Sequence, residues 1–185
     1  MECRKASTEA ECLTILRQRY DIFVEEYHFF VPKESDRRIE YDDYDTYAVL
    51  FGVWERDDLL ASCRLVLPEN PLGLPTSNAL HIDPEKFRID SHTAEISRIA
   101  IASKHRRLKN SIKILQSLRH EMIQTSISNG ITHWIGAVEP GFLKLLNLSR
   151  LHFKPIGPLQ NHIDLDRYPV ALSVHDCIIS LKEHP

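Results

Sequence analysis

Ala94-Glu95-Ile96-Ser97-Arg98-Ile99-Ala100-Ile101-Ala102 is an apolar, β-branched run that reads as a strand. Residues 110–128 follow a basic turn and place Ile112, Leu115, Leu118, Met122 and Ile123 on one helical face, and Asn129-Gly130 ends that helix. Residues 132–138 form the next strand. A strand-helix-strand unit of this length is a parallel crossover, because two parallel strands cannot be joined by a tight turn.

Upstream, residues 46–54 and 59–67 are apolar and separated by Glu55-Arg56-Asp57-Asp58, which predicts a β-hairpin stopped by Pro68. Before it, Leu13, Leu16, Tyr20, Phe23 and Val24 recur at helical offsets over residues 7–27, with Ser7 or Thr8 able to cap the helix. An acidic, proline-marked loop over residues 32–45 joins helix to hairpin. Residues 68–91 carry Pro68, Pro71, Pro75 and Pro84 and read as a long connection that covers or borders something. Downstream, a short helix is expected over residues 140–151 and a last strand over residues 170–181. The sum is an α/β chain: a mixed, mainly antiparallel sheet flanked by helices, in a single domain over residues 1–185.

Composition removes several function classes. With 23 Lys and Arg against 26 Asp and Glu, the formal charge of -3 gives no overall reason to bind nucleic acid. No apolar run approaches the roughly 20 residues that span a bilayer, so no integral membrane segment is expected. The polar start at Met1-Glu2-Cys3-Arg4-Lys5 lacks the pattern of a signal peptide, which makes the cytoplasm the expected compartment. Cys3, Cys12, Cys63 and Cys177 are dispersed and no paired-histidine motif occurs, so no metal site is expected. Nucleophile-elbow, phosphate-loop and dinucleotide fingerprints are missing too.

The informative residues are charges placed where a core should be. Arg64 lies inside Leu60-Ala61-Ser62-Cys63-Arg64-Leu65-Val66-Leu67, and an unpaired guanidinium buried there costs several kcal/mol. The nearest acids are in Glu40-Tyr41-Asp42-Asp43-Tyr44-Asp45. Two bland readings stay open: Arg64 reaches solvent at a sheet edge, or forms a purely structural pair. Glu95 and Arg98 are three apart, so sharing one face requires a β-bulge, which also frees backbone N–H groups. A carboxylate beside freed N–H groups suits acyl transfer to an amine; an ion pair at the sheet margin is the alternative. Lys104, Arg106, Arg107, Lys109 and Lys113 precede or open a helix and form either an anion-docking site or a solvated basic turn.

Taken in order, these residues resemble the acyl-homoserine-lactone (autoinducer) synthases and the N-acyl amino acid synthases of the GNAT superfamily. The resemblance covers most of the chain. Arg19, Phe23 and Phe29 match the family's early arginine and aromatics, residues 40–45 its acidic motif, Arg64 its strand arginine, and Glu95-Ile96-Ser97-Arg98 its Glu-x-Ser-Arg. Val138-Glu139-Pro140 and His152-Phe153-Lys154-Pro155-Ile156-Gly157 are similar to its late strand, helix and loop. The resemblance implies a GNAT-like fold and transfer of a fatty acyl group from acyl carrier protein, or acyl-CoA, to an amine. On it, Glu95 is the base, acting through water, and Arg98 and Ser97 lie near the thioester arm. Asp42, Asp45 and Arg64 shape the acceptor pocket, with Arg19, Phe23 and Phe29 beside it. Backbone amides after Arg98, at residues such as Ile99 and Ile101, hold the carbonyl oxygen, and Lys104, Arg106, Arg107 and Lys109 meet the donor. No permanently bound cofactor is implied.

The chain departs from the family pattern in two places. Phe29 stands where autoinducer synthases carry tryptophan, which favours an amino acid acceptor over S-adenosylmethionine. The turn Arg106-Arg107-Leu108-Lys109-Asn110-Ser111 has no glycine to admit a pyrophosphate closely, which favours acyl carrier protein as donor and partner. A true autoinducer synthase and a catalytically silent acyl-binding module are the competing readings.

Overall fold

The structure, a computed structural model, describes residues 1–31 and 37–183, the side chains of 181–183 excepted. In chain order its elements are β1 (Glu2–Lys5), α1 (Glu9–Arg19), β2 (Ala48–Glu55), β3 (Asp58–Val66), α2 (Pro75–Ala79), β4 (Thr93–Ile101) and α3 (Leu108–Ser128). They continue with β5 (His133–Val138), α4 (Pro140–Leu148), β6 (Lys154–Pro155), β7 (Gln160–His162), β8 (Leu165–Ser173) and α5 (Val174–Glu183). All eight strands join one sheet in the order β1-β2-β3-β4-β5-β8-β6, with β7 paired to β8. Among the described residues only β4 and β5 run parallel, as the crossover through α3 requires.

Thr8 caps α1 in a reciprocal capping box with Glu11. Beyond Arg19 the helix loosens into a π-helical segment, Tyr20–Glu26, which turns Phe23 out of the regular helical stripe. The residues buried from this helix are Ile15, Arg19, Tyr20 and Ile22, so the expected apolar face at Leu13, Leu16, Phe23 and Val24 is only half-buried. The acidic loop, whose residues 32–36 lie outside the described residues, ends in a 3-10 turn over Asp43–Tyr47 capped by Asp42.

The core forms where α3 lays Ile114, Leu115, Leu118, Met122 and Ile123 against Phe51, Val53, Cys63 and Leu65 of the central strands. Trp134 at its floor is fully buried and its indole N–H donates to Ser126 Oγ at 2.8 Å, so its one polar atom is satisfied. The end of the chain differs from expectation. The strand ends at Ser173, and residues 174–183 form α5, whose Val174 and Cys177 pack into the same core. An apolar run this short does not distinguish strand from helix by period alone.

Two irregularities position the site. Arg64 faces Ser97 and Ser62 faces Ala100, so Arg98 and Ile99 together oppose Cys63 alone, and Arg98 takes the left-handed conformation at φ 53°. The expected β-bulge is there. In addition, β4 and β5 pair only from Thr93–His133 to Glu95–Ile135; beyond Glu95 the strands part and a cleft opens between them. At the parting point a Cβ on Gly136 would lie 2.8 Å from the Ile96 carbonyl oxygen, so no larger residue fits unless the strands shift.

Candidate active site

The cleft is a cavity of about 450 Å³ floored by Glu95, Ile96, Ser97, Arg98 and Ile99 of β4 and walled by Ala137, Val138 and Glu139 at the end of β5. Phe23, Phe29 and Phe30 close one side, Thr76 and Asn78 of α2 another, and His162, Ile163 and Arg167 of the β7–β8 hairpin overhang it. The tip of that hairpin holds Ile163 at φ 54° and Asp164 at φ 56°. For a β-branched residue this costs about 1–2 kcal/mol, and strain of that kind persists where a side chain is held for a purpose.

Beneath the cavity lies an ionic network in which one Arg64 nitrogen, Nη2, is buried without a hydrogen-bond partner. Arg19, 1% exposed, donates to Glu40 Oε2 at 2.6 Å and to both oxygens of Asp45 at 2.6 and 3.0 Å. Arg64, 0% exposed, pairs with Asp42, approaches Asp45 at 3.2 Å and donates through Nε to Ser97 Oγ at 3.1 Å. Arg98 donates to Glu40 Oε1 at 3.1 Å and Asp42 Oδ2 at 2.9 Å, with its guanidinium 4.0 Å over the ring of Phe30. Three guanidinium groups thus meet three carboxylates. Burial pushes the Glu40 and Asp45 carboxyls up, but the arginines outweigh it: Glu40 ends below its ordinary value and Asp45 is held at about 2. Arg64 does not reach solvent, because β3 is a central strand.

Glu95 stands apart from this network. Its two oxygens accept the Thr76 backbone N–H at 2.7 Å and the Thr76 hydroxyl at 2.9 Å, and it is 2% exposed. Desolvation carries its pKa up to about 7; the Thr76 bonds and the charges of Arg64 and Arg98 oppose that rise without cancelling it. The reason is visible in the charge balance. Arg19, Arg64 and Arg98 are already matched by Glu40, Asp42 and Asp45, so an ionised Glu95 adds a negative charge with no ion-pair partner.

The structure therefore brings Glu95, Ser97, Arg98, Ile99, Phe23, Phe29 and Asp42 to one cavity, with Arg19, Asp45 and Arg64 packed behind it. It places Ile101 in the main core. Lys104, Arg106, Arg107 and Lys109 lie outside the cavity lining. Lys104 pairs with Asp58 at 2.5 Å, and Arg106 is clamped by Glu26 at 2.8 Å and by the Ile101 carbonyl at 2.7 Å. Arg107 and Lys109 remain exposed at the start of α3. The basic run lacks acids in sequence, yet tertiary contacts supply them to two of its members.

Sequence reasoning did not single out Thr76, Phe30 or Arg167, and it met Glu40 and Glu139 only inside longer motifs, without a role of their own. Three arginines that the fold buries or half-buries require three acids, and Glu40 is the third beside Asp42 and Asp45. Pro75, opening α2, was the one local sign that the long connection carries a short helix against the site.

No curated protein sequence matches the chain. Among solved structures, a CoA-dependent acyl-homoserine lactone synthase, BjaI, with SAM and isopentyl-CoA, superposes with a TM-score of 0.74 at 18% identity, covering 98% of this chain and 87% of its own. The acyl-homoserine lactone synthase LasI gives 0.71 at 18% identity, covering 94% and 88%. FeeM, an N-acyl amino acid synthase from uncultured soil microbes, gives 0.69 at 18% identity, covering 95% and 90%. At this identity the likeness establishes a shared fold. The sequence family described as an acetyltransferase (GNAT) domain matches residues 18–116, which carry the last residues of α1, the acidic loop, the hairpin, the bulged strand and the start of α3. By that match, over a fold its solved neighbours share, the chain belongs to the acetyltransferase (GNAT) domain family.

Proposed function

We propose that the protein is an N-acyltransferase that moves a fatty acyl group from a thioester, on acyl carrier protein or coenzyme A, to the amine of an amino acid or related acceptor. The observation that carries the reading is Glu95, a buried carboxyl with a pKa of about 7 at the floor of a cleft opened by parting strands. A base in that range is poised to take a proton near neutrality.

In this reading the acceptor enters as an ammonium ion and gives one proton, through a water molecule, to ionised Glu95. The free amine then attacks the thioester carbonyl. The carbon–nitrogen bond forms, the carbon–sulfur bond breaks, and the thiolate leaves with the proton shed by nitrogen. Thr76 occupies one lone pair on each Glu95 oxygen and leaves another on each for the water. Backbone amides at the bulge, from Arg98 to Ile99, hold the developing oxyanion, since β5 has left the edge of β4 there. The ionic network keeps Arg98 and the bulge fixed, so the donors need not reorganise during reaction.

Phe23, Phe29 and Phe30 give the cavity an apolar wall suited to a hydrocarbon or aromatic group. The donor arm reaches the bulge from the α3 side. Arg107 and Lys109, with Leu108 60% exposed between them, offer an acidic carrier protein two cations and an apolar contact. The test is incubation with acyl carrier protein or CoA thioesters and each amino acid, or S-adenosylmethionine, followed by mass spectrometry. An N-acyl amino acid supports the proposal. A lactone from S-adenosylmethionine replaces it with the autoinducer-synthase reading, and no product with any pair leaves the acyl-binding module.

A further inference from the structure

Arg167 is a cation in the cavity that the ionic network does not use. It lies in β8 opposite Gln160 of β7, one residue past the Tyr168–Val138 pair that ends the β5–β8 ladder. Its side chain lines the cavity, and its guanidinium carbon sits 5.6 Å from the ring centre of Phe29. Among the described residues it makes no side-chain hydrogen bond and no ion pair, whereas Arg98 at the opposite side is held by two carboxylates. Glu139 attracts it and Arg98 repels it, both from beyond ion-pair distance. A half-buried guanidinium with unused donors is an incomplete arrangement, and an anion of matching shape completes it.

We infer that Arg167 is the anchor for the acceptor's carboxylate, a binding subsite that selects α-amino acids over simple amines. The thioester donor does not explain the cation, because an acyl thioester is uncharged around its reacting carbonyl and along the adjoining pantetheine. The acceptor does. An amino acid brings an ammonium group, which Glu95 must deprotonate, and a planar carboxylate, which a guanidinium fork binds through two parallel hydrogen bonds. The neighbouring Phe29 ring takes up none of the guanidinium's hydrogen-bond donors. Ile163, in the left-handed turn of the same hairpin, lines the cavity with Arg167 and adds an apolar neighbour to it. Lysine would supply the charge without the fork.

This inference rests on the acyl-transfer reading, and its test separates the two. Product mimics avoid dependence on turnover: N-octanoyl-, N-dodecanoyl- and N-hexadecanoyl-glycine, each against its glycinamide counterpart, are titrated into the full chain by calorimetry. The wild type is expected to bind the best acid about tenfold or more tightly than its amide, as a charge-assisted pair implies. Arg167→Met is expected to bind acid and amide alike, and Arg167→Lys to keep part of the preference. Arg167→Gln carries the same expectation as the methionine variant and serves if that one does not fold. Equal binding of acid and amide by the wild type, or a preference that survives in Arg167→Met, overturns the subsite while leaving acyl transfer standing. Failure of every mimic to bind, with no N-acyl product in the activity assay, removes both.

Discussion

Replacing Glu95 by glutamine separates the roles of shape and charge at the floor of the cleft. Glutamine has the same shape and still accepts the Thr76 backbone N–H, so the fold around it is kept. It cannot take a proton. The folded protein lifts the Glu95 carboxyl from 4.5 to about 7, so it holds the proton more tightly than the unfolded chain does. That contribution to stability is complete below about pH 4.5, shrinks as pH rises, and is gone above about pH 7. Its size is about 3 kcal/mol, from the standard conversion of a pKa difference to free energy. Glu95→Gln does not titrate, so the variant should gain on the wild type by about this amount between those limits. Urea unfolding of both proteins at stepped pH measures the difference directly, because every other titrating group is common to the two. In parallel, acyl transfer should fall by about a hundredfold to ten-thousandfold in the variant, and the wild-type rate should rise with pH through about 7. A stability difference that stays constant from pH 4 to 8 refutes the claim that burial sets the ionisation of Glu95.

Arg64→Met should cost about 3 kcal/mol or more in urea unfolding, since it leaves Asp42 and Asp45 with fewer partners in a buried network; Arg38→Met, at an exposed pair with Asp21, should cost under about 1 kcal/mol. Equal losses would contradict the network's place in the interior. Thr76→Val removes a hydroxyl bond that favours ionised Glu95, so the midpoint of the pH–rate profile should move up by about one pH unit, and an unmoved midpoint counts against the Thr76–Glu95 contact. Gly136→Ala puts a Cβ against the Ile96 carbonyl where β4 and β5 part; it should cost about 1–3 kcal/mol in thermal or urea unfolding and lower activity together with it.

The crossover was legible because α3 is long and strongly periodic and its cap, Asn129-Gly130, is unambiguous. The hairpin was legible from its charged turn. The bulge could be argued from Glu95 and Arg98 alone, since residues three apart share a face only if the ladder gains a residue. What stayed hidden was tertiary. β1, β6 and β7 are short strands with little period, and β8 runs into α5 without a break in apolar character. Thr76 lies nineteen positions from Glu95 in a proline-rich connection, and only the folded chain shows that its backbone and hydroxyl meet that carboxylate. The pairing of Arg106 with Glu26 spans eighty positions, so a basic run that reads as a docking site is partly neutralised in space.

The most direct test of the account is product analysis by mass spectrometry after mixing the purified protein with an acyl carrier protein or CoA thioester of a fatty acid and a mixture of amino acids. The account predicts an N-acyl amino acid formed in step with release of free thiol, and its near-complete loss in Glu95→Gln. Undiminished product from Glu95→Gln, or no amide product from the wild type with any donor, would contradict it.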